Sequence, residues 1–380
     1  MKLSENNKEW IDGVFNKLDD KFSYTAVVSR EKIPYSTVDG VHDDYSKPEK
    51  ITWWTNGFWG GLMWLMYSQT GKDCYRITAE RSQEKMQKAF EFSHKLHHDV
   101  GFMFHILHGA DYRLNRNEKS KNINFLSALI LAGRYEARGG YIRCWNGTWR
   151  GEDTDGWTII DSMMNLGLLY WASEVSGDKR FMRMAITHAD TVMANHIRED
   201  GAVNHIVVND PNEFRKMVDV KGGQGYQKGS CWSRGCSWAV YGFVLSYIRT
   251  GKKEYLDTAI KCADYFIEQT SKTDYLPLCD FMQPESPVYY DSTAGAVASC
   301  GFIEIAKILG EEKGKKYLDS ALKTLKVLEE KCCDFSLENQ SLLQMGMESY
   351  KKGVHKPIIY GDYFFTEAIL KLKGNEFLPW

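Results

Sequence analysis

The chain has 380 residues, of which 43% are hydrophobic and 26% are charged, a composition that is ordinary for a globular protein. Its formal net charge of −2 argues against a surface that coats polyanions, as a non-specific nucleic-acid binder would need, but it is compatible with a local basic pocket. The unusual feature is the 12 tryptophans and 21 tyrosines, since aromatic side chains in clefts suit the apolar faces of sugar rings.

The nine cysteines are an odd number, and they lack the paired spacing of a zinc site. They are therefore interpreted as free, partly buried thiols in a reducing compartment. The first ten residues contain no apolar stretch typical of a secretory signal, and no run approaches the ~18 uncharged apolar residues of a membrane span. We expect a cytoplasmic protein.

One pattern recurs along the chain: an apolar helix, a glycine, a few polar residues, an aromatic residue and then an amphipathic helix. The glycines of this pattern are Gly71, Gly133, Gly177, Gly251, Gly310 and Gly374. A glycine just past a helix favours the left-handed cap that satisfies the last carbonyl groups. Six repeats of two helices predict an all-α toroid, an (α/α)6 barrel with apolar inner helices and amphipathic outer helices.

The alternative architecture is an open solenoid, which would suit shorter and more uniform repeats. The repeats of this chain are uneven and carry long aromatic loops, which favours the closed ring. No linker or break in composition divides the sequence, so we predict a single catalytic domain over residues 1–380.

Asp161 is the first candidate catalytic residue. It lies where a polar loop turns into an apolar helix, with isoleucines before it, methionines after it and three tryptophans upstream. Such surroundings make an ionised carboxylate costly and raise its pKa, which suits a general acid near neutral pH. The alternative is an Asp that only holds backbone N–H groups at a helix start.

Asp99 is the second candidate, at the end of a helix that we expect to begin near Ser82. Val100, Phe102 and further apolar residues follow it. If Asp99 and Asp161 both point into the ring, one ionised carboxylate raises the pKa of the other and creates a proton donor–acceptor pair. The alternative is a turn-forming Asp before a glycine.

A dense stretch of candidate binding residues begins at Gln224. Trp232, Arg234 and Trp238 fall where a loop enters the fourth inner helix. An Arg flanked by two indoles fits recognition of a sugar carboxylate together with ring stacking. The alternative is Arg–aromatic stacking that only supports the fold.

The histidines are less informative. His97, His98, His105, His108 and His205 are expected mostly near loops, and a lone histidine is usually a structural hydrogen-bonder. The spacing of His94 and His98 has no third ligand nearby, so we predict no metal site. No phosphate-binding loop and no Ser–His or Cys–His signature occurs, and we expect no cofactor.

Four segments together resemble glycoside hydrolase family 88, the unsaturated glucuronyl hydrolases. They are Trp-Trp-Thr-Asn-Gly-Phe-Trp-Gly-Gly from Trp53, His-His-Asp-Val-Gly-Phe around Asp99, Asp-Gly-Trp-Thr-Ile-Ile-Asp-Ser-Met-Met-Asn-Leu around Asp161, and Gln-Gly-Tyr…Trp-Ser-Arg-Gly-Cys-Ser-Trp from Gln224. Tyr-Gly-Asp-Tyr-Phe-Phe-Thr-Glu-Ala from Tyr360 is similar to that family's closing helix. The related unsaturated rhamnogalacturonyl hydrolases share the barrel and some of these motifs.

The resemblance implies an enzyme that acts after a polysaccharide lyase, on the 4,5-unsaturated uronic acid at the non-reducing end of an oligosaccharide. Family members hydrate the C4=C5 double bond. The catalytic acid/base then falls on Asp161 and its supporting carboxylate on Asp99. The substrate-binding residues implied by the resemblance are Trp53, Trp145, His205, Gln224, Trp232, Arg234 and Trp238.

Sulfate recognition is expected to differ from that of glycosaminoglycan-directed relatives. Those relatives hold a sulfate with serines and basic groups near the last inner helix, whereas this chain keeps lysines there, including Lys356, and Lys221 is another candidate cation. Two other functions are compatible with the same residues: an ordinary inverting glycosidase with two separated carboxylates, and a non-catalytic carbohydrate-binding protein.

Overall fold

The computed structural model describes residues 3–380, so residues 1 and 2 lie outside the described part of the chain. Helices make up most of it, and they are α1 Glu5–Val28, α2 Phe58–Thr70, α3 Asp73–Met86, α4 Ala110–Asn115, α5 Glu118–Ala132, α6 Ser162–Ser176, α7 Lys179–His196, α8 Ser233–Thr250, α9 Lys253–Ser271, α10 Ser292–Cys332 and α11 Ile359–Leu372. A π-helical segment Gly101–Gly109 runs directly into α4, and short 3-10 segments cover Gln87–Lys95 and Tyr350–Lys352.

The inner helical segments form a closed ring. In order, they are α2, the π-helical segment with α4, α6, α8, residues 292–309 of α10, and α11. Each contacts the next, and α11 contacts α2 to close the circle. The predicted (α/α)6 barrel is therefore confirmed, and its description as one catalytic domain over residues 1–380 stays a prediction.

The apolar pattern of each helix explains its layer. In α2 every residue from Phe58 to Met66 is buried, as a helix enclosed on all sides requires, whereas α3 buries only one face against α2. The helix α10 contributes to both layers because its backbone turns at Gly310, where φ is 77°. The residues before Gly310 belong to the inner ring, and those after it form an outer helix. The remaining outer helices are α1, α5, α7 and α9.

Short strands lie within the loops that lead into the inner helices. They are β1 Thr37–Val38, β2 Val41–His42, β3 Tyr135–Glu136, β4 Tyr141–Ile142, β5 Thr148–Trp149, β6 Glu152–Asp153, β7 Trp157–Ile159, β8 Ile206–Asn209, β9 Met217–Lys221, β10 Gly346–Met347 and β11 His355–Lys356. The largest sheet has three antiparallel strands in the order β7-β8-β9, and the others are two-stranded. The three-stranded sheet ends two residues before Asp161 and so fixes the path of the chain into α6.

Three local predictions need correction. Gly133 does not end an inner helix, because it follows the outer helix α5 with a right-handed backbone; the inner helix of that repeat ends at Arg116, whose φ is 57°. His105 and His108 do not lie near loops but are buried in the π-helical segment. The helix before Asp99 begins at Asp73 rather than near Ser82, because it is the outer partner of α2.

A layer of buried aromatic rings crosses the barrel below its loop-bearing end. Its members, which we call the aromatic floor, are Phe58, Phe102, Trp238, Phe364 and Trp380. The indole of Trp380 is stacked on Phe364 with an interplanar angle of 4°, and its Nε1 donates to Glu367. Aromatic packing of this kind therefore fills the bore of the ring.

The helix Ser292–Cys332 contains a window long and apolar enough to cross a membrane, but 78% of that window is buried inside the protein. Its apolar residues pack against α8 and α11. The composition of α10 is thus accounted for by its position in the inner ring.

Close approach of inner helices predicts opposite effects for two glycine substitutions. A Cβ on Gly242 of α8 would lie 2.5 Å from Cβ of Met163, whereas a Cβ on Gly13 of α1 would meet nothing within 4 Å. We expect Gly242→Ala to destabilise the fold by about 1–3 kcal/mol through overpacking. Gly13→Ala should stabilise it by roughly 0.5–1 kcal/mol because alanine is the better helix former.

Denaturant unfolding of both variants beside the wild type measures these changes. An equal effect of the two substitutions would contradict tight packing between α6 and α8.

Candidate active site

The loops that precede the inner helices meet at one end of the barrel and enclose a cavity of about 410 Å³. Because the inner helices run in the same direction, their N-terminal ends and the loops before them collect on one side of the ring. The side chains that line the cavity are Tyr35, Trp53, Trp54, His97, His98, Asp99, Trp145, Trp149, Arg150, Ile159, Asp161, Gln224, Trp232, Arg234, Trp238, Glu348, Ser349, Lys352 and Tyr360.

Eight of the predicted site residues line this cavity: Asp99, Asp161, Trp53, Trp145, Gln224, Trp232, Arg234 and Trp238. His205 lies behind the lining, with its ring stacked on Trp232 at 4.4 Å. Lys221 and Lys356 are not among the lining residues. A second cavity of about 480 Å³ lies at the bend of α10 and contains none of the predicted residues.

Asp161 is held at the start of α6 with only 8% of its surface exposed. Burial raises the pKa of its carboxyl group to about 7, and the positive charge of Arg234 opposes that rise. The atom Oδ1 has no hydrogen-bond partner within residues 3–380. Asp161 therefore has a pKa in the range that general acid catalysis requires, and one of its oxygens is free for a ligand or water.

Asp99 is buried beside two histidines. Burial raises the pKa of its carboxyl group well above the ordinary value, and the nearby charge of Asp161 raises it further. Nδ1 of His98 lies 2.8 Å from the carbonyl oxygen of Cys144, which can only accept, so Nδ1 carries the ring proton. Burial lowers the pKa of His98, so its ring is neutral and Nε2, 3.2 Å from Oδ1 of Asp99, is an acceptor. This geometry suits a protonated Asp99 that donates to His98.

Asn165 links the carboxyl group of Asp99 to the main chain of Asp161, and the sequence reasoning missed it. Its Nδ2 lies 3.3 Å from Oδ1 of Asp99 and 3.3 Å from the main-chain oxygen of Asp161. Its Oδ1 accepts from the backbone N–H of Phe102 at 2.8 Å. The available signal was its position four residues after Asp161, on the same face of a helix.

His205 faces Asp161 with a defined ring orientation. The backbone N–H of Gln224 donates to its Nδ1 at 3.3 Å, so in the neutral ring Nε2 carries the proton. Burial lowers the pKa of His205 to about 3, so the ring is neutral at ordinary pH. Its Nε2 lies 3.7 Å from Oδ1 of Asp161, and neither atom has a hydrogen-bond partner within residues 3–380. A bound hydroxyl group or water could satisfy both atoms at once.

Arg234 is buried in an ion pair that the sequence did not reveal. Its Nε and Nη2 donate to Oδ2 of Asp291 at 2.9 and 2.7 Å, and it also donates to the hydroxyl group of Tyr360. Its guanidinium carbon lies 4.9 Å from the ring centroid of Trp232. Nη2 also donates to the carbonyl oxygen of Met347, so four of the five N–H groups of Arg234 are used within the protein. Arg234 lines the cavity between the rings of Trp232 and Tyr360.

The two lysines suggested for anion recognition do not line the cavity, and each is paired with a carboxylate. Lys221 lies 2.6 Å from Glu152, and Lys356 contacts Glu348. Lys352 lines the cavity instead, and it too is paired with Glu348. Ser349 also lines the cavity, although the sequence reasoning placed no serine there.

His97, His98 and Asp99 have ligand-type atoms within 4.8 Å of one another, so their geometry could hold a metal ion. His98 already interacts with Asp99 and Cys144, whereas Nδ1 of His97 lies 3.4 Å from Oδ2 of Asp99 without a hydrogen-bond partner within residues 3–380. The expectation that the enzyme uses no metal stays a prediction.

The sequence profile of Glycosyl Hydrolase Family 88 matches residues 28–247, which is more than half of the chain. The chain belongs to this family. It is 32% identical over 329 residues to an unsaturated glucuronyl hydrolase from Bacillus sp. strain GL1, covering 84% of this chain and 86% of the relative. The crystal structure of an unsaturated glucuronyl hydrolase from Bacillus sp. GL1 superposes with a TM-score of 0.86 at 29% identity, covering 94% and 96% of the two chains.

Two further family members extend the comparison. An unsaturated chondroitin disaccharide hydrolase from Streptococcus pneumoniae is 30% identical, covering 97% of this chain and 92% of its own length. The structure of a variant unsaturated glucuronyl hydrolase from Streptococcus agalactiae, in complex with dGlcA-GalNAc6S, has a TM-score of 0.81 at 26% identity and covers 98% and 94%. The family 88 protein described here is thus a glycoside hydrolase.

Because Asp161 is buried, we predict that Asp161→Asn increases the free energy of unfolding by an amount that depends on pH. The folded-state pKa of about 7 exceeds the ordinary value of 3.8, so the stability that the protonated form contributes is complete below pH 3.8 and is lost as the pH rises to about 7. Asp161→Asn removes this loss. Its advantage over the wild type in free energy of unfolding should grow by about 2–3 kcal/mol between pH 5 and pH 8.

Denaturant unfolding at the two pH values measures this difference. The control is Asp155→Asn, the same change at an exposed carboxylate of the same loop, which should show no such growth. An advantage that does not change with pH would mean that Asp161 is ionised at pH 5.

Proposed function

We propose that this protein is an unsaturated glucuronyl hydrolase that removes the 4,5-unsaturated glucuronyl residue from the non-reducing end of lyase-generated oligosaccharides by hydrating its C4=C5 double bond. The observation that carries the proposal is the burial of Asp161, whose pKa is raised to about 7, in the same cavity as Asp99. Family membership and the activities named for the relatives support the same substrate class.

We assign the role of general acid to Asp161. Its protonated carboxyl group donates to C4 of the enol ether while positive charge develops at C5. The resulting carboxylate then takes a proton from the water that adds at C5. The hemiketal formed in this way opens and releases the next sugar.

Asp99 and Asn165 support this cycle without changing charge. A protonated Asp99 carries no negative charge. It therefore does not raise the pKa of Asp161 further, which would make the proton of Asp161 harder to donate. Asn165 holds the main chain of Asp161 and the carboxyl group of Asp99 in one network. When Asp161 is ionised, the Nε2–H group of His205 faces its Oδ1 and favours the carboxylate that must next act as a base.

The aromatic lining suits a sugar ring. Trp53, Trp145, Trp232 and Trp238 present apolar faces, and Gln224 supplies a polar side chain whose Oε1 has no partner within residues 3–380. Arg234, which donates to Tyr360 and whose positive charge acts on Asp161, is assigned to the substrate's carboxylate.

The substrate that we infer is a glycosaminoglycan disaccharide, because two relatives are named for chondroitin disaccharide hydrolysis or were solved with dGlcA-GalNAc6S. We further infer that the enzyme works in the cytoplasm, where its nine free cysteines, seven of them buried, stay reduced. Cell fractionation of the producing organism tests this location.

Replacement of Asp161 is the most direct test of the chemistry. Asp161→Asn should lower kcat by about 10²–10⁴-fold, or roughly 3–5 kcal/mol of barrier, because the amide cannot donate the proton. Turnover is followed as loss of the ultraviolet absorbance of the conjugated double bond in a lyase-made disaccharide. Asp155→Asn serves again as the matched control and should retain full activity.

Sugar binding should survive in Asp161→Asn, and calorimetry with the same disaccharide measures it. An unchanged kcat in this variant would show that Asp161 is not the general acid. Cleavage of a saturated glucuronide at a comparable rate would instead favour the conventional inverting glycosidase. Preference for an unsaturated rhamnogalacturonan fragment would favour the related rhamnogalacturonyl hydrolases.

The pH profile provides an independent prediction. Because donation requires protonated Asp161, kcat/KM should fall as the pH rises above about 7, the pKa of that group. Initial rates between pH 5 and pH 9 at fixed ionic strength measure the profile. A constant rate into the alkaline range would contradict the general-acid role.

A further inference from the structure

Arg150 differs from the other arginine and lysine side chains that line the cavity. Those cations are Arg234, which is paired with Asp291, and Lys352, which is paired with Glu348. Arg150 forms no ion pair with any carboxylate in residues 3–380. Its positive charge nevertheless reaches the site, since it contributes to the lowered pKa of His205. An uncompensated guanidinium group at a substrate cavity is a binding site for an anion.

The backbone at Arg150 is unfavourable for arginine. Arg150 and Gly151 form the two-residue turn between β5 and β6, with φ of 51° and 84°. Asn, Asp or Gly is usual at such left-handed turn positions because a longer side chain is disfavoured there. Strained backbone of this kind is enriched at ligand-binding sites, and of the three arginines with a positive φ only Arg150 lines the cavity.

A tryptophan pair lies directly beside this guanidinium group. The rings of Trp145 and Trp149 are stacked, with centroids 5.0 Å apart and an interplanar angle of 14°. The guanidinium carbon of Arg150 lies 4.2 Å from the ring centroid of Trp149. Its Nη1 lies 3.5 Å from the carbonyl oxygen of Gly223, on the facing loop. The indole and the cation therefore form one surface at the mouth of the cavity.

The depth of this surface decides which part of a substrate it contacts. Asp161 and Arg234 are buried, whereas Arg150 is exposed and Trp149 is half-buried. A terminal sugar whose double bond reaches Asp161 occupies the buried part of the cavity, so the next sugar lies at the rim.

We propose that Trp149 and Arg150 form a subsite for the sugar that follows the unsaturated uronate, where Trp149 stacks on the ring and Arg150 binds an anionic substituent, either a sulfate or a carboxylate. This assignment rests on the proposed function and adds to it a preference for an acidic second sugar. Lys221 and Lys356, the cations first suggested by the sequence, do not line the cavity; Lys221 is paired with Glu152, and Lys356 shares Glu348 with Lys352.

Three unsaturated disaccharides test the subsite: one with a neutral second sugar, one with a single sulfate on that sugar, and one with a carboxylate on it. For Arg150→Ala we expect KM to rise about tenfold for at least one acidic disaccharide, a loss of about 1.4 kcal/mol of binding. Its kcat should stay within about twofold, and both constants for the neutral disaccharide should stay within the same range. The acidic disaccharide that responds identifies the anion.

Matched variants separate charge from structure. Arg150→Lys should recover part of the lost affinity, because it keeps the charge but loses the planar fork. Arg138→Ala, at an exposed arginine outside the cavity lining, should change none of the constants. Trp149→Ala should raise KM for all three disaccharides alike, since ring stacking does not depend on the substituent.

The outcome that overturns the subsite is an equal change, or no change, of KM for the neutral and acidic disaccharides in Arg150→Ala. That result would leave the proposed hydrolase activity intact, because the wild-type enzyme would still consume all three. Failure of the wild type to consume any of them would reject the proposed function and the subsite with it.

Discussion

Exclusion of water from the carboxyl group of Asp161 is the constraint on which the rest of this site depends. A carboxyl group in water is ionised near neutral pH and has no proton to give. Burial at the start of α6 raises its pKa to about 7. The closed ring supplies that burial, because the loops and starts of five inner segments surround one cavity, and no single loop could shield the group from every side.

The same constraint limits the charge that polar groups near Asp161 can carry. A charged histidine beside Asp161 would lower its pKa, and His205 is kept neutral by its own burial. Arg234 also opposes the raised pKa, but its charge is shared with Asp291. The site thus combines a buried cation with a neutral carboxylic acid, two features that conflict unless the cation has a partner.

The sequence predicted the barrel because the period of its apolar residues differs between layers. An inner helix such as α2 is apolar on all faces, and an outer helix such as α3 is apolar on one, so the alternation of the two types is visible without coordinates. The two aspartates were recognisable for a related reason, since each is a carboxylate in an apolar segment. The second repeat was misread because its inner helix ends at Arg116 rather than at a glycine, and any left-handed residue other than glycine is invisible to a search for glycines.

Contacts between distant loops could not be predicted in this way. Asp291 and Arg234 are 57 residues apart, and only folding shows that they form an ion pair. Lys221 and Lys356 looked like free cations because their carboxylate partners, Glu152 and Glu348, lie on other strands or turns. Neighbours along the chain determine helix type, but a cation's availability depends on partners that come from elsewhere in the sequence.

The aromatic floor has a consequence for the order of events in a catalytic cycle. Trp380 and its neighbours fill the bore below the cavity, so a sugar that reaches Asp161 enters and leaves from the loop-bearing end. A cavity closed on that side favours insertion of a chain end over insertion of an internal residue. After bond breakage the fragment nearer the mouth has to depart before the one trapped behind it, so an excess of the outer fragment should hold the inner one in place and slow the next round.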